Sequence, residues 1–190
     1  PAPLASHDLL QVAARLGADV PFLTQDASTL ALAWGRGDRL LPLPSLPSRA
    51  CILFTFPHGV VTADAYRWLI EEPAAAPGAV CYPAERFGSW SDVELLAYNE
   101  FERVVLPRHP EIRRVLEGLR RPEIRRVLPV ALMSGSGATV FALAPAPADG
   151  GDASVHNLEF ILAPSDDPAS AIPLLETATA THVEPVRVDD

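Results

Sequence analysis

The chain contains no lysine, one methionine and only two cysteines in 190 residues. Every fixed positive side-chain charge is therefore an arginine, and chemistry that depends on a lysine amine has no residue to use within this span. Cys51 and Cys81 stand far apart with no metal or redox spacing, which excludes a disulfide framework and points to reduced thiols. The five histidines (His7, His58, His109, His156, His182) are scattered without ligand spacing, so no protein-held metal is expected. No run reaches the roughly 18–20 apolar residues that span a bilayer, and no charged segment leading into an apolar one opens the chain. Membrane insertion and secretion are not expected, and the cytoplasm is the default. A formal net charge of −9 disfavours general nucleic-acid binding. The arginines between Arg103 and Arg126 have no interleaved aromatic platform and read as solvent faces of amphipathic helices.

What is present is enough for a real core: 48% of the residues are hydrophobic, at a length that suits one domain or slightly more. Ser6 or Asp8 is expected to cap a helix with Leu9, Leu10, Val12, Ala13 and Leu16 at helical spacing, ended by Gly17. Thr29 to Trp34 and Arg39 to Leu43 flank Gly35-Arg36-Gly37-Asp38 and read as a hairpin. The prolines at 42, 44 and 47 mark a linker, dividing the chain into 1–48 and 49–190.

Beyond the linker, Ala50 to Phe56 is a short apolar run of buried-strand type. Thr62 is placed to cap a helix over Ala63 to Ile70, and Pro73 to Pro83 reads as a loop. Ser91 to Val105 and Pro110 to Leu119 are expected to be helical, the second burying Ile112, Val115, Leu116 and Leu119. The heptapeptide PEIRRVL occurs at Pro110 and again at Pro122, and FALAPAPA at Phe141 is echoed by FILAPSDD at Phe160. Two short echoes do not make a repeat protein. A helix over Pro168 to Thr177 and a strand over His182 to Val188 complete the expectation.

Four segments carry the chemistry. ALMSGSGATVFAL, from Ala131 to Leu143, places a Ser-Gly-Ser-Gly turn ahead of an apolar run. Glycines there allow close backbone approach, and serine hydroxyls with successive N–H groups form an anion-binding concavity. Far upstream lies LGADVPF, from Leu16 to Phe22, with HGVVTADAYRWL (His58 to Leu69) and YNEFERVVLPRHPEI (Tyr98 to Ile112) between.

In that order the four resemble the GHMP superfamily of small-molecule kinases, and the last two resemble its diphosphocytidyl-methylerythritol branch. The resemblance implies an α+β fold: a GHMP C-terminal domain of antiparallel sheet with helices packed on it, preceded by a remnant of the N-terminal domain. It implies an ATP-dependent phosphotransferase, with Mg2+ carried on the ATP phosphates, acting on a cytidine diphosphate derivative of methylerythritol for isoprenoid precursor synthesis. The family's lysine-bearing strand and glycine-serine phosphate loop, which precede GADVPF, have no counterpart here, so the expectation is an N-terminally truncated chain lacking normal kinase activity by itself.

By the same resemblance Asp19 is the catalytic aspartate beside the acceptor hydroxyl, either as general base or as an electrostatic partner that positions it; by its position alone it is a turn aspartate. Ser134, Gly135, Ser136 and Gly137 would hold phosphate, with Ala138 where relatives carry proline. Thr62 and Tyr66, one helical turn apart, would contact the substrate, Tyr66 stacking on cytosine; a core tyrosine is the equal alternative. Asn99, Glu100 and Glu102 match an Asn-Asp-Phe-Glu pattern and are expected to cap and hydrogen-bond. Another GHMP kinase, of homoserine or mevalonate type, and a noncatalytic nucleotide- or protein-binding module remain open as alternatives.

Overall fold

Apolar periodicity and turn residues give this chain seven α-helices and six strands among the described residues, which in the computed structural model are 5–47, 49–74, 84–145 and 179–183. The expected helix over Pro168 to Thr177, the echo at Phe160, Cys81 and most of the 73–83 loop lie outside them. The chain divides into two compact units: Pro1–Pro47 with Tyr82–Val93, and Ser48–Cys81 with Glu94–Asp190.

In the first unit, α1 (Ser6–Leu16) is followed by α2 (Val20–Thr24) and the hairpin β1 (Leu30–Trp34) and β2 (Arg39–Leu43). Helix α1 ends where glycine was expected to end it, Gly17 N–H donating to the Ala13 carbonyl. Its N-cap position is Ala5, so the expected capping by Ser6 or Asp8 is corrected: both residues lie inside the helix. The hairpin forms as read, antiparallel, with Trp34 opposite Arg39 and Leu30 opposite Leu43. A Cβ on Gly37 would come within 2.7 Å of the Ala18 carbonyl, so the hairpin turn rests on the α1–α2 connection as only glycine permits. The Trp90 indole N–H donates to the Pro47 carbonyl at 2.7 Å.

The second unit is built on an antiparallel sheet ordered β4-β5-β3-β6, with β3 Cys51–Thr55, β4 Val130–Met133, β5 Val140–Leu143 and β6 Thr179–Val183. Strand β6 begins before the expected His182, and 184–188 lie outside the described residues. Period-two alternation decides which sheet face is dry: Ile52 and Phe54 of β3 and Val140 and Ala142 of β5 are buried, while Cys51, Leu53, Phe141 and Leu143 are half-buried and Thr55 is exposed. Helix α6 (Pro110–Leu119) packs on β4 and β5, and α3 (Thr62–Glu71) packs on α5 (Glu102–Val105). Ile112, Val115, Leu116 and Leu119 of α6 are fully buried, as their spacing predicts. Each such side chain contributes about 1.5–3 kcal/mol by leaving water, so this one stripe anchors the helix to the sheet.

One helical expectation is corrected. The single helix expected over Ser91 to Val105 is two, α4 (Trp90–Leu96) and α5, with a break between. The Asn99 side-chain oxygen accepts the Phe101 N–H at 2.9 Å, a local turn that competes with continued helix. The second PEIRRVL forms only the short α7 (Pro122–Arg125), whereas the first runs through the ten residues of α6. After Leu128 comes Pro129, and the residue before a proline is disfavoured in the α conformation. After Leu116 the chain continues Glu-Gly-Leu and the helix goes on.

Candidate functional site

The Ser-Gly-Ser-Gly segment forms the connection between β4 and β5. The Ser134 N–H donates to the Thr139 carbonyl at 2.8 Å and the Gly137 N–H to the Ser134 carbonyl at 3.0 Å, which closes the loop on itself. Gly135 and Gly137 have φ of +54° and +93°, and the Gly137–Ala138 peptide is cis. A Cβ on Gly137 would meet the Met133 sulfur at 2.8 Å and Val60 Cγ2 at 3.2 Å. A Cβ on Gly135 would meet nothing within 4 Å. Gly137 therefore faces the protein and Gly135 faces open space. Two of the loop's N–H groups are consumed internally, and those of Gly135 and Ser136 have no acceptor among the described residues.

Helix α3 meets this loop end-on. Thr62 is its first residue and Val61 its N-cap position, so the expected capping role of Thr62 is corrected. Its hydroxyl instead lies 2.9 Å from the Ser136 hydroxyl. Val61 takes both the Asp64 and the Ala65 N–H on its carbonyl, leaving the N–H groups of Thr62 and Ala63 at the helix start beside the loop. One turn along, Tyr66 is 56% exposed and packs edge-on against Phe101, ring centres 4.9 Å apart. Of the two readings of Tyr66, the buried core side chain is the one the structure does not bear out.

Behind the loop stands a brace. The Asn99 side-chain amide donates to the Met133 carbonyl at 2.6 Å and the Gly135 carbonyl at 2.8 Å. The Glu102 carboxylate accepts the Met133 N–H at 2.9 Å and the Arg120 guanidinium at 3.0 and 2.8 Å. Arg120 also donates to the Ala131 carbonyl from Nε at 3.1 Å and from Nη2 at 2.8 Å. The expectation that Asn99 and Glu102 hydrogen-bond structurally is met, and their target is the strand and loop carrying the site. Glu100 faces away from it: its carboxylate takes the Tyr98 hydroxyl at 2.6 Å and Arg103 Nε at 2.9 Å. Those contacts, the Tyr98 hydroxyl first, hold the Glu100 carboxyl below the usual carboxylate range. Arg120 is one of the arginines between Arg103 and Arg126 read as a solvent face, yet its guanidinium is bound to the Glu102 carboxylate and the Ala131 carbonyl. Nothing in the sequence could have found it, because its role depends on where β4 lies.

Asp19 belongs to the first unit. It is exposed, occupies the N-cap position of α2, and makes no side-chain capping bond. The adjoining surface is a concavity of about 380 Å³ lined by Ala14, Arg15, Gly17, Ala18 and Arg36. Among the described residues no group of three or more His, Cys, Asp or Glu side chains could hold a metal ion. None of the described helices is long and apolar enough to cross a membrane.

Comparison with known proteins gives a consistent set of likenesses. The family described as GHMP kinases C terminal matches residues 84–154. The 4-diphosphocytidyl-2-C-methyl-D-erythritol kinase of Deinococcus radiodurans is 39% identical over 137 residues, covering 72% of this chain and 44% of that protein. The enzyme of the same name from Geobacillus kaustophilus is 36% identical over 142 residues, covering 74% and 47%, and that from Thermosynechococcus vestitus is 36% identical over 163 residues, covering 77% and 50%. A crystal structure of a 4-(cytidine 5'-diphospho)-2C-methyl-D-erythritol kinase superposes with a TM-score of 0.59 at 26% identity, over 96% of this chain and 57% of that one. The chain spans about half the length of the curated relatives it matches.

Proposed function

Because the chain belongs to the GHMP kinase family, we propose that it is part of an ATP-dependent kinase that phosphorylates the free hydroxyl of 4-diphosphocytidyl-2-C-methyl-D-erythritol, a step in isoprenoid precursor synthesis. The observation that carries this reading is the Thr62–Ser136 contact. It sets the two uncommitted N–H groups of the loop beside the two at the start of α3, one turn from an exposed aromatic ring. N–H groups converging from a loop and a helix N-terminus suit a phosphate or diphosphate. An exposed ring beside them suits a nucleobase.

Each residue then has a task. Gly135 and Ser136 donate backbone N–H groups to phosphate oxygens, and the Ser134, Ser136 and Thr62 hydroxyls add donors that can reorient. Gly137 lets the loop lie flat on Met133 and Val60. Tyr66 stacks on the cytosine ring. Asp19 orients the acceptor hydroxyl and takes its proton. When bound, ATP supplies the phosphoryl group, with Mg2+ on its phosphates to offset their charge. Positioning and charge neutralisation are most of what such a transfer asks of the protein. We assign residues 1–48 to the N-terminal domain of the whole kinase and 49–190 to its C-terminal domain, and place the protein in the cytoplasm.

Calorimetric titration of the chain with 4-diphosphocytidyl-2-C-methyl-D-erythritol tests the reading. Binding is expected, weaker in Tyr66→Ala by the worth of one stacked base, about 1–3 kcal/mol. A Tyr66→Ala variant that binds like the parent would refute the assignment of Tyr66. No binding of the substrate at all would remove the loop and α3 as its site.

A further inference from the structure

Among the described residues strand β4 lies at an edge of its sheet, with β5 on one side and no strand on the other. An edge strand presents N–H and C=O groups that require partners from elsewhere. Here side chains take the place of the next strand. Arg120 caps the Ala131 carbonyl, Glu102 takes the Met133 N–H, and Asn99 takes the Met133 carbonyl and, one step into the loop, that of Gly135. Met133 is the last residue of β4, so both its backbone groups are fixed at the point where the loop departs.

We propose that Arg120, acting through Glu102, is a positioning residue for the Ser134–Gly137 loop and so sets its affinity for phosphate-bearing ligands; this rests on the reading of that loop given above. Glu102 is the shared node. Its side chain is only 12% exposed, so its charge needs the guanidinium beside it, and Arg120 is itself tied to the same strand two residues earlier. The two side chains thus clamp β4 at Ala131 and Met133 through one rigid, planar group. With the clamp closed, the loop is held from behind on its Met133 side, and the N–H groups of Gly135 and Ser136 stay without acceptors among the described residues. Without Arg120, Glu102 is left as a mostly buried charge lacking its cation. The carboxylate then reorients toward water and releases the Met133 N–H.

The test uses the full chain labelled with 15N, with inorganic pyrophosphate and cytidine 5'-diphosphate as probes. In ligand-free Arg120→Met the amide signals of Gly135 and Ser136 are expected to shift and their hydrogen exchange to quicken. Affinity for both probes is expected to fall about fivefold or more, within the range for residues that act on a site indirectly. Arg120→Lys is expected to recover part of the affinity, because an ammonium in the place of Nη2 can reach the Ala131 carbonyl and the Glu102 carboxylate but cannot supply the second donor, Nε, to Ala131. Val115→Ala, a core truncation at a residue outside the hydrogen bonds of the brace, loses stability and keeps its affinity, which separates positioning from general loosening. The inference is overturned if Arg120→Met binds the probes as the parent does, or if Val115→Ala weakens binding equally. A parent chain that binds neither probe overturns the phosphate reading of the loop and this inference with it. Parental binding with an indifferent Arg120→Met overturns the inference alone.

Discussion

The hydroxyl oxygens of Thr62 and Ser136 lie 2.9 Å apart although 74 positions separate them in the chain. The contact joins the first turn of α3 to the β4–β5 connection, two pieces of backbone that each leave N–H groups without acceptors among the described residues. A pair of hydroxyls is well suited to such a place, since either can donate to the other or turn to a ligand.

Removing that pair has a split effect. Thr62→Val and Ser136→Ala each change stability by less than about 1 kcal/mol, because the pair is solvent-exposed and water replaces the lost partner. Both are expected to weaken cytidine 5'-diphosphate binding, and the double variant to lose little more than either single one. Thermal melts with titrations on all three variants check this; additive losses in binding would show that the two hydroxyls act independently.

The two loop glycines differ in what they cost when replaced. Gly137→Ala forces a methyl into the Met133 sulfur at a φ of +93°, and is expected to destabilise by about 1–3 kcal/mol. Gly135→Ala meets no atom and carries only the conformational cost of its positive φ, about 1 kcal/mol. Its methyl points into the space where a ligand would sit, so it should reduce binding more than folding. Urea denaturation gives the order of stability, and equal losses at the two positions would contradict the geometry.

The duplicated heptapeptide supplies its own control. Ile112 in the first copy is fully buried and Ile124 in the second only partly, so Ile112→Ala is expected to cost about 2–5 kcal/mol and Ile124→Ala clearly less. Equilibrium unfolding of the two variants decides it; a larger loss at Ile124 would mean that the second copy is the structural one.

Burial pushes the Cys51 thiol above its usual range. The thiolate is the reactive form, so in a Cys81→Ser background iodoacetamide labels Cys51 slowly near pH 8 and faster only above the range of a free thiol, about 8.5. The folded state binds this proton more tightly than the unfolded chain does. The stability it contributes is therefore complete below the unfolded value and is lost as pH rises through the folded one. Labelling rates across pH 7–10 follow this, and half-maximal reactivity below the free-thiol value would contradict it.

Local pattern explains most of what the sequence revealed. The hairpin, strand β3 and helix α6 follow from alternation, a glycine turn and one apolar stripe, and these signals lie within a few residues of one another. The break at Asn99 escaped because helix propensity summed over Ser91 to Val105 outweighs one asparagine until its side chain finds the Phe101 N–H and, at a distance, the loop carbonyls. The short second PEIRRVL shows the same limit: an identical heptapeptide is cut short by the proline that follows it. In the site, the Ser-Gly-Ser-Gly pattern was legible as a close-approach loop. Which of its N–H groups stay free was not, because that depends on the Thr139 carbonyl across the turn.

The brace behind β4 also governs association. An extended peptide approaching that side of the sheet meets an Ala131 carbonyl already capped by a guanidinium and a Met133 amide already given to a carboxylate. To add a strand there it would have to displace an ion pair and leave the Glu102 charge without water or cation. Copies of this chain crowded together during synthesis are thus kept from zipping sheet to sheet along β4, and the side chains that steady the loop serve as gatekeepers against aggregation.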